Sequence, residues 1–343
     1  MGCNITHSVA WIFEEAGLHL RVFSMSESSV SPNIVHRLET EFDAVVPASL
    51  SRYTSFQVGG KTPALVQCHT ADQLSSLVSL LHREKQPYFV MGQGTNVLVS
   101  DEGVDAVVLR FCDDTSDALV QQEGFVRVNG NILLDHVAAK LVEHGVGDLT
   151  YLSGIPGTLG GAIAGNAGAF GRQIGDDLLR AEVLSVEGNR RWVEADELSF
   201  AYRSSALKKS REIVLQADIR AEDVDGQELR EKRESILQLR KEKHPDWKSE
   251  PCAGSVFRNI EPTSAAGRRQ AAGWFLEEAG VKAFHVGEAS LYAKHANIII
   301  AGEGACAMDV YTLSENMKRA VKERFDIELV REVQLIGAFA NAS

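Results

Sequence analysis

Leu152-Ser-Gly-Ile-Pro-Gly-Thr-Leu-Gly-Gly-Ala-Ile-Ala-Gly-Asn-Ala-Gly-Ala-Phe-Gly171 is the most glycine-dense stretch of the chain. Six glycines fall between Gly154 and Gly168, interleaved with Ala, Ile, Thr158 and Asn166. The spacing is neither that of collagen nor that of a membrane-helix dimer. Two readings stay open at this point. One is a Gly/Ala helix packed tightly beneath a sheet. The other is backbone laid against a large flat ligand, with Thr158 and Asn166 as hydrogen-bond donors, because missing side chains let the main chain approach closely.

Upstream lies a second glycine loop, Gly92-Gln93-Gly94-Thr95-Asn96, at the exit of a short apolar strand from Tyr88 to Met91. Its N–H groups could approach a phosphate, although a plain tight turn needs the same residues. It is not the Rossmann fingerprint, since no third glycine follows at the required offset and no helix starts there. Around it the pattern predicts a strand from Ala64 to Cys68 and a helix from Gln73 to Lys85. Thr70 or Asp72 would cap that helix, with Leu74, Leu77, Val78 and Leu81 on one face. Further strands follow at Val97 to Val99 and Val104 to Leu109.

Downstream, a strand at Phe125 to Val128 and a helix from Leu133 to Glu143 precede the glycine-rich stretch. Strands at Ala181 to Val186, Arg191 to Glu194 and Ile213 to Ile219 follow it. A charge-rich helical run from Gly226 to Lys243 ends at Pro245 and reads as an inter-domain helix. Beyond it the pattern predicts a helix from Arg269 to Ala279, a strand near Ile298 to Ile300, a helix from Asp309 to Phe325 and a last strand from Val333 to Ile336. The first residues read as an appended tail, with a short amphipathic helix from Val9 to Phe23 and a polar, flexible stretch after Met25.

A chain of 343 residues is too long for one ordinary core, so two or three domains are expected. The 35 basic against 47 acidic residues argue against non-specific binding to nucleic acid or an anionic membrane. They leave room for an anionic small molecule in a local basic pocket. Cys3, Cys68, Cys112, Cys252 and Cys306 form no CxxC pair and no zinc-ligand spacing, so no metal site is expected. The expectation is a monomeric cytoplasmic protein with reduced thiols and a small-molecule partner.

Single residues say little. Ser255, in Ala253-Gly-Ser-Val-Phe257, lacks the second glycine of a lipase-type elbow. Alone it is an ordinary turn serine. Arg203, in Ala201-Tyr-Arg-Ser-Ser205, and Glu332, just before the last strand, look like ordinary surface residues.

In combination the pattern is specific. From about Tyr53 to Gly337 the chain resembles the UDP-N-acetylenolpyruvoylglucosamine reductase family. The motifs, in the family's order, are Tyr53-Thr-Ser-Phe-Gln-Val-Gly-Gly60, Gly92-Gln-Gly-Thr-Asn-Val-Leu-Val-Ser-Asp101, Gly154-Ile-Pro-Gly-Thr-Leu-Gly-Gly161, Asn166-Ala-Gly-Ala-Phe-Gly171, Tyr202-Arg-Ser-Ser205, Gly254-Ser-Val-Phe-Arg-Asn259, Lys294-His-Ala-Asn297 and Arg331-Glu-Val-Gln-Leu-Ile-Gly337.

The resemblance implies an α+β fold, a two-lobed FAD-binding module of the PCMH-like type followed by a smaller α/β substrate-binding domain. An extension covers 1–33, lobe 1 covers 34–112 with the strand in 333–343 returning to it, lobe 2 covers 113–225 and the substrate domain 226–332. It implies FAD and NADPH as cofactors and a nucleotide sugar as substrate, whose enolpyruvyl double bond is reduced. Tyr53, Gly92, Gln93, Gly94, Thr95 and Asn96 would hold FAD at its pyrophosphate end. Gly154, Ile155, Pro156, Gly157, Thr158, Gly160, Gly161, Asn166 and Gly168 would line the flavin. Ser255 would donate the proton, Arg203 and Glu332 would flank the substrate carboxylate, and Lys243, Asn259 and Tyr202 would bind substrate. Glu332 could help only if protonated or acting through the serine or a water, since a bare carboxylate repels the developing enolate.

Departures from the family's pattern are Thr95 for serine, Phe170 for tyrosine, and Val281-Lys-Ala-Phe-His-Val-Gly287, which puts the role of His285 in doubt. The stretch between Arg203 and Ser255 is too short for the extra tyrosine-bearing loop of one subgroup. The alternatives are an FAD-linked alcohol or sugar oxidase of the same flavin-binding superfamily and a flavin-binding protein without turnover.

Overall fold

The computed structural model describes residues 29–113, 119–262 and 269–339. The expected tail helix from Val9 to Phe23 and the first residues of the polar stretch after Met25 lie outside them. The rest of that stretch, expected to be flexible, is held in place, because the Ser29 N–H donates to Asp105 Oδ2 at 2.6 Å, Val30 is buried and Pro32 opens the helix Pro32–Phe42.

In the first lobe, Thr70 rather than Asp72 caps the helix Ala71–Arg83, its side-chain oxygen accepting from the Gln73 N–H at 3.1 Å. The four expected apolar residues of that helix are buried. They pack on a three-stranded parallel sheet with Val107–Phe111 between Leu65–Cys68 and Tyr88–Met91. The central strand starts at Val107, not Val104, because Val104 is held outside it by a hydrogen bond from its N–H to the Lys61 carbonyl. Val107, Val108 and Leu109 are fully buried, as a central strand of a covered parallel sheet requires. The last strand, Gln334–Ile336, pairs in parallel with Val97–Val99, directly beyond the Gly92 loop.

The second lobe is a five-stranded antiparallel sheet in the order Arg190–Glu194, Leu178–Leu184, Ile213–Arg220, Phe125–Asn129, Leu119–Gln122. The edge strand Leu119–Gln122 was not expected. It has no alternating apolar face, and forms by pairing with Phe125–Asn129 across the Gly124 turn. The helix Leu159–Gly165 lies on this sheet inside the glycine-rich stretch. A Cβ on Gly160 would come within 3.0 Å of the Gly130 carbonyl oxygen and 3.2 Å of that of Val214. Helix and sheet therefore meet backbone to backbone.

The helix Gly226–Lys243 leads into a third unit. There the helices Ala272–Glu278 and Ala307–Phe325 pack with a small antiparallel sheet of His285–Val286, Ala289–Leu291 and Ile299–Ala301. The first of these helices starts at Ala272, not Arg269, because Gln270 is paired in a bridge with Ile260.

Asp101 ties the third unit to the first lobe. Its carboxylate accepts from the N–H groups of Ala307 and Met308, at 2.7 and 2.9 Å, at the start of the helix Ala307–Phe325. A carboxylate there satisfies orphan donors and opposes the helix dipole. Asp101→Ala is expected to lower stability by about 1–2 kcal/mol, read as a lower urea midpoint; an unchanged midpoint would show that water replaces this cap at no cost. No helix among the described residues is long and apolar enough to cross a membrane.

Candidate active site

A continuous cleft of about 3480 Å³ runs between the lobes and under the third unit, lined by both glycine loops. Pockets for one drug-sized ligand span roughly 300–1,000 Å³. The cleft therefore has room for two large ligands at once.

The two loops are stitched into one floor. Gln93 Oε1 accepts from the Gly157 N–H at 2.6 Å, and Thr95 Oγ1 donates to the Pro156 carbonyl at 3.3 Å. Gly94 has φ +75, and a Cβ there would lie 2.0 Å from the Tyr53 carbonyl oxygen. Only glycine fits this position.

Four expected FAD residues have other duties. Tyr53 is not among the cleft-lining residues; its backbone braces Gly94 from behind. Gly160 faces the sheet. Asn166 ends the helix in a left-handed conformation, φ 46, with its amide spent inside the protein. Nδ2 donates to Gln173 Oε1 at 2.9 Å and the Ala201 carbonyl at 2.8 Å, while Oδ1 accepts from the Gly175 N–H at 3.1 Å. A buried amide must find such partners, so Asn166 shapes the wall and does not donate to a ligand. Thr158 caps the helix, its Oγ1 accepting from the Gly161 N–H at 3.3 Å.

Gly165, which the motif reading passed over, does face the cleft. A Cβ built on it meets nothing within 4 Å. Its signal in the sequence is the Gly161–Gly165 spacing, which puts two glycines on one helix face. A bare helix face beside open cleft space is the cradle a flat ring system needs, and the residues present fit FAD.

The polar residues converge on the same cleft. Tyr202, Arg203, Lys243, Ser255, Asn259 and Glu332 all line it. Arg203 has φ +56; its Nη1 donates to the Gly168 carbonyl at 3.0 Å, and its Nε lies 2.8 Å from Glu332 Oε1. Burial pushes the Glu332 carboxyl up from its ordinary value, against the downward pull of Arg203, Arg258 and Lys208. The group is thereby moved toward the protonated form that useful proximity to an enolate demands.

Backbone bonds set Glu332 between loop and serine. Its N–H donates to the Val256 carbonyl at 2.7 Å, and Asn96 Nδ2 donates to the Glu332 carbonyl at 3.3 Å. Asn96 is thus committed, at least in part, to the Glu332 segment. Ser255 follows Gly254, φ +70, and bridges Ile298. Asn297, quoted in a motif above but given no role there, pins this segment. Its Oδ1 accepts from the Phe257 N–H at 2.9 Å and its Nδ2 donates to the Phe257 carbonyl at 2.8 Å. Its own carbonyl accepts from the Val256 N–H at 2.8 Å.

Tyr202 crosses from the second lobe to the third unit. Its hydroxyl oxygen accepts from the Asn259 N–H at 3.3 Å, and the Arg269 guanidinium lies 4.0 Å over its ring. Asn259 Oδ1 accepts from the Ala272 N–H at 3.3 Å, which leaves its NH₂ as the group for a ligand. Lys243 is exposed at the end of its helix. Burial and the neighbouring Arg240, His295 and Lys243 push His244 down to about 4. Arg203, Arg240, Lys243 and Arg269 make this cleft locally cationic in a chain of net charge −12. His285 is exposed and does not line the cleft.

Comparison with known proteins bears on this geometry. The family described as "UDP-N-acetylenolpyruvoylglucosamine reductase, C-terminal domain" matches residues 245–336, and the FAD binding domain family matches residues 62–194. The UDP-N-acetylenolpyruvoylglucosamine reductase of Caldanaerobacter subterraneus is 36% identical over 289 residues, 84% of this chain and 92% of that one. The chain belongs to the UDP-N-acetylenolpyruvoylglucosamine reductase family. The reductase of Bacillus subtilis is 32% identical over 84% of this chain and 92% of its own length. The crystal structure of the reductase of Thermus caldophilus superposes with a TM-score of 0.69 at 28% identity, covering 86% of this chain and all of that one. The fold is accordingly an FAD-binding module followed by the reductase family's C-terminal domain.

Proposed function

We propose that the protein reduces the enolpyruvyl group of UDP-N-acetylglucosamine enolpyruvate to give UDP-N-acetylmuramate, with FAD as bound cofactor, NADPH as electron source and the cytoplasm as its place. One observation carries the reading. The Arg203–Glu332 ion pair is held between the Asn96 end of the glycine loop and the Ser255 segment, in a cleft whose floor is bare glycine backbone.

Gln93 to Thr95, Gly157, Gly161 and Gly165 would hold FAD, which when bound supplies a hydride for the terminal enolpyruvyl carbon. The electron pair left on the adjacent carbon spreads onto the substrate carboxylate. Arg203 donates charge-assisted hydrogen bonds to those oxygens, stronger than neutral ones. The Ser255 hydroxyl gives its proton to the carbanionic carbon. Glu332, whose carboxyl burial pushes up against the pull of Arg203, can replace the proton that Ser255 loses in the fraction of molecules where it is protonated. Lys243 and Arg240 offer positive charge to the diphosphate.

The test is anaerobic titration of the purified protein. A yellow protein that releases FAD on heating, bleaches with NADPH and regains colour with the enolpyruvyl substrate is expected. A colourless protein that cannot be reconstituted with FAD would overturn the reading. Re-oxidation by an alcohol-derived carbonyl and not by the enolpyruvyl compound would favour the oxidase alternative. Lys243→Ala is expected to raise the substrate KM roughly tenfold, about 1.4 kcal/mol, with little change in flavin reduction by NADPH. An unchanged KM would transfer the diphosphate to Arg240.

A further inference from the structure

Phe170 stands at the tip of a small hairpin on the rim of the cleft. Gly168–Ala169 pairs with Arg172–Gln173, with Ala169 opposite Arg172. The loop is therefore two residues, Phe170 and Gly171, with φ +54 and +82. Positive φ at both central positions is the requirement of a type I′ turn, which prefers Asn-Gly. A phenylalanine there is strained, because its Cβ crowds the backbone. Burial among the described residues does not compensate: the residue is 59% exposed, one of few large apolar residues so exposed among them.

The base of the hairpin, by contrast, is fastened. Arg172 lies 4.4 Å over the Tyr151 ring and pairs with Asp148 at 2.7 Å and Asp177 at 2.9 Å. Gln173 accepts from Asn166, and the Gly168 carbonyl accepts from Arg203. An exposed ring, strained at its backbone and mounted on a rigid base beside the reacting arginine, is pre-organised to meet a ligand.

We propose that Phe170 is a recognition residue for the nicotinamide ring of the pyridine dinucleotide reductant. The inference rests on the function proposed above. Two large ligands other than flavin must reach the reacting end of this cleft in turn. The nucleotide sugar brings its pyruvyl group there, and its uracil lies a diphosphate and a sugar away. Only the reductant brings a flat aromatic ring to the Arg203 end, and an exposed aromatic face suits such a ring.

The experiment uses the FAD-loaded protein, with Phe170→Asn and Phe170→Leu beside the parent. Phe170→Asn relieves the turn and is expected to raise Tm by a few degrees at most. The dissociation constant for NADPH, from the concentration dependence of anaerobic flavin bleaching, is expected to rise about tenfold in both variants. Phe170→Tyr should bind NADPH as the parent does. The KM for the enolpyruvyl substrate should change less than about twofold. An unchanged NADPH constant in Phe170→Leu, which keeps bulk and loses the ring, overturns the proposal, as does an effect confined to the nucleotide sugar or to FAD retention. Failure of the parent itself to be reduced by NADPH would refute the function instead, so the two failures are distinct.

Discussion

Ser255→Ala is expected to leave FAD content and flavin reduction by NADPH nearly intact while slowing re-oxidation by the enolpyruvyl substrate ~10²–10⁴-fold, the loss typical of a missing general acid. The two half-reactions share one flavin but need different groups. Hydride leaving NADPH requires no proton donor at position 255, whereas the carbanionic carbon of the substrate must be protonated before product can leave. The change is small and sits in a segment held by backbone and by Asn297, so the fold has no reason to move. Ser255→Cys should recover part of the rate, because a thiol can also give up a proton. Stopped-flow absorbance of the flavin, run on each half separately, measures both effects. Equal slowing of both halves, or of neither, would make Ser255 structural and leave Glu332 or a water as the proton source.

The second large effect concerns two glycines that the sequence presents alike and the fold uses differently. Gly165→Leu is expected to fold, with an apo-protein Tm at or slightly above the parent. The position is the last of the helix Leu159–Gly165, its φ is not positive, and a Cβ meets nothing within 4 Å. Leucine also has better helix propensity than glycine, by ~0.5–1 kcal/mol. Its side chain, however, would enter the space assigned to the flavin, and FAD affinity should fall at least ~100-fold, on the order of 2.7 kcal/mol. Gly94→Ala should instead damage the protein with or without flavin. A methyl there meets the Tyr53 carbonyl at 2.0 Å with φ at +75, so the loop must shift. Reconstitution followed by flavin absorbance, with a melt of each apo-protein, separates the two. Normal FAD retention by Gly165→Leu would mean that the flavin does not lie against this helix.

The helix-beneath-a-sheet reading of the glycine-rich stretch describes one face of it, and the other face borders the cleft. Gly160 packs against the sheet, while Gly161 and Gly165 face the cleft. Periodicity in a seven-residue helix assigns residues to faces but does not say which face meets the sheet. Asn166 was legible as a polar residue in a site motif. Its inward turn toward Gln173 and Ala201 follows from left-handed backbone and a hairpin that returns across it, neither of which composition encodes. The same limit applies to Leu119–Gln122, a strand by virtue of its neighbour.

What the sequence by itself determined is the set of local structures and the family. Apolar spacing placed the helix Ala71–Arg83 with its buried face. Thr70 or Asp72 offered its cap and Pro87 lay beyond its end, and the motifs in order identified a flavin-binding reductase. These features depend on residues close together in the chain, where steric preference and hydrogen-bonding reach are short. What only the tertiary structure decided is how distant residues act on one another. Arg203 and Glu332 come from different units, and their 2.8 Å approach exists because the last strand returns beside the Gly92 loop. The rise of the Glu332 carboxyl is a burial effect opposed by charges from two separate segments, Arg203 with Lys208 and Arg258. Desolvation and Coulomb interaction depend on distance in space and not along the chain, so the chemistry of this acid came into being only when the fold closed.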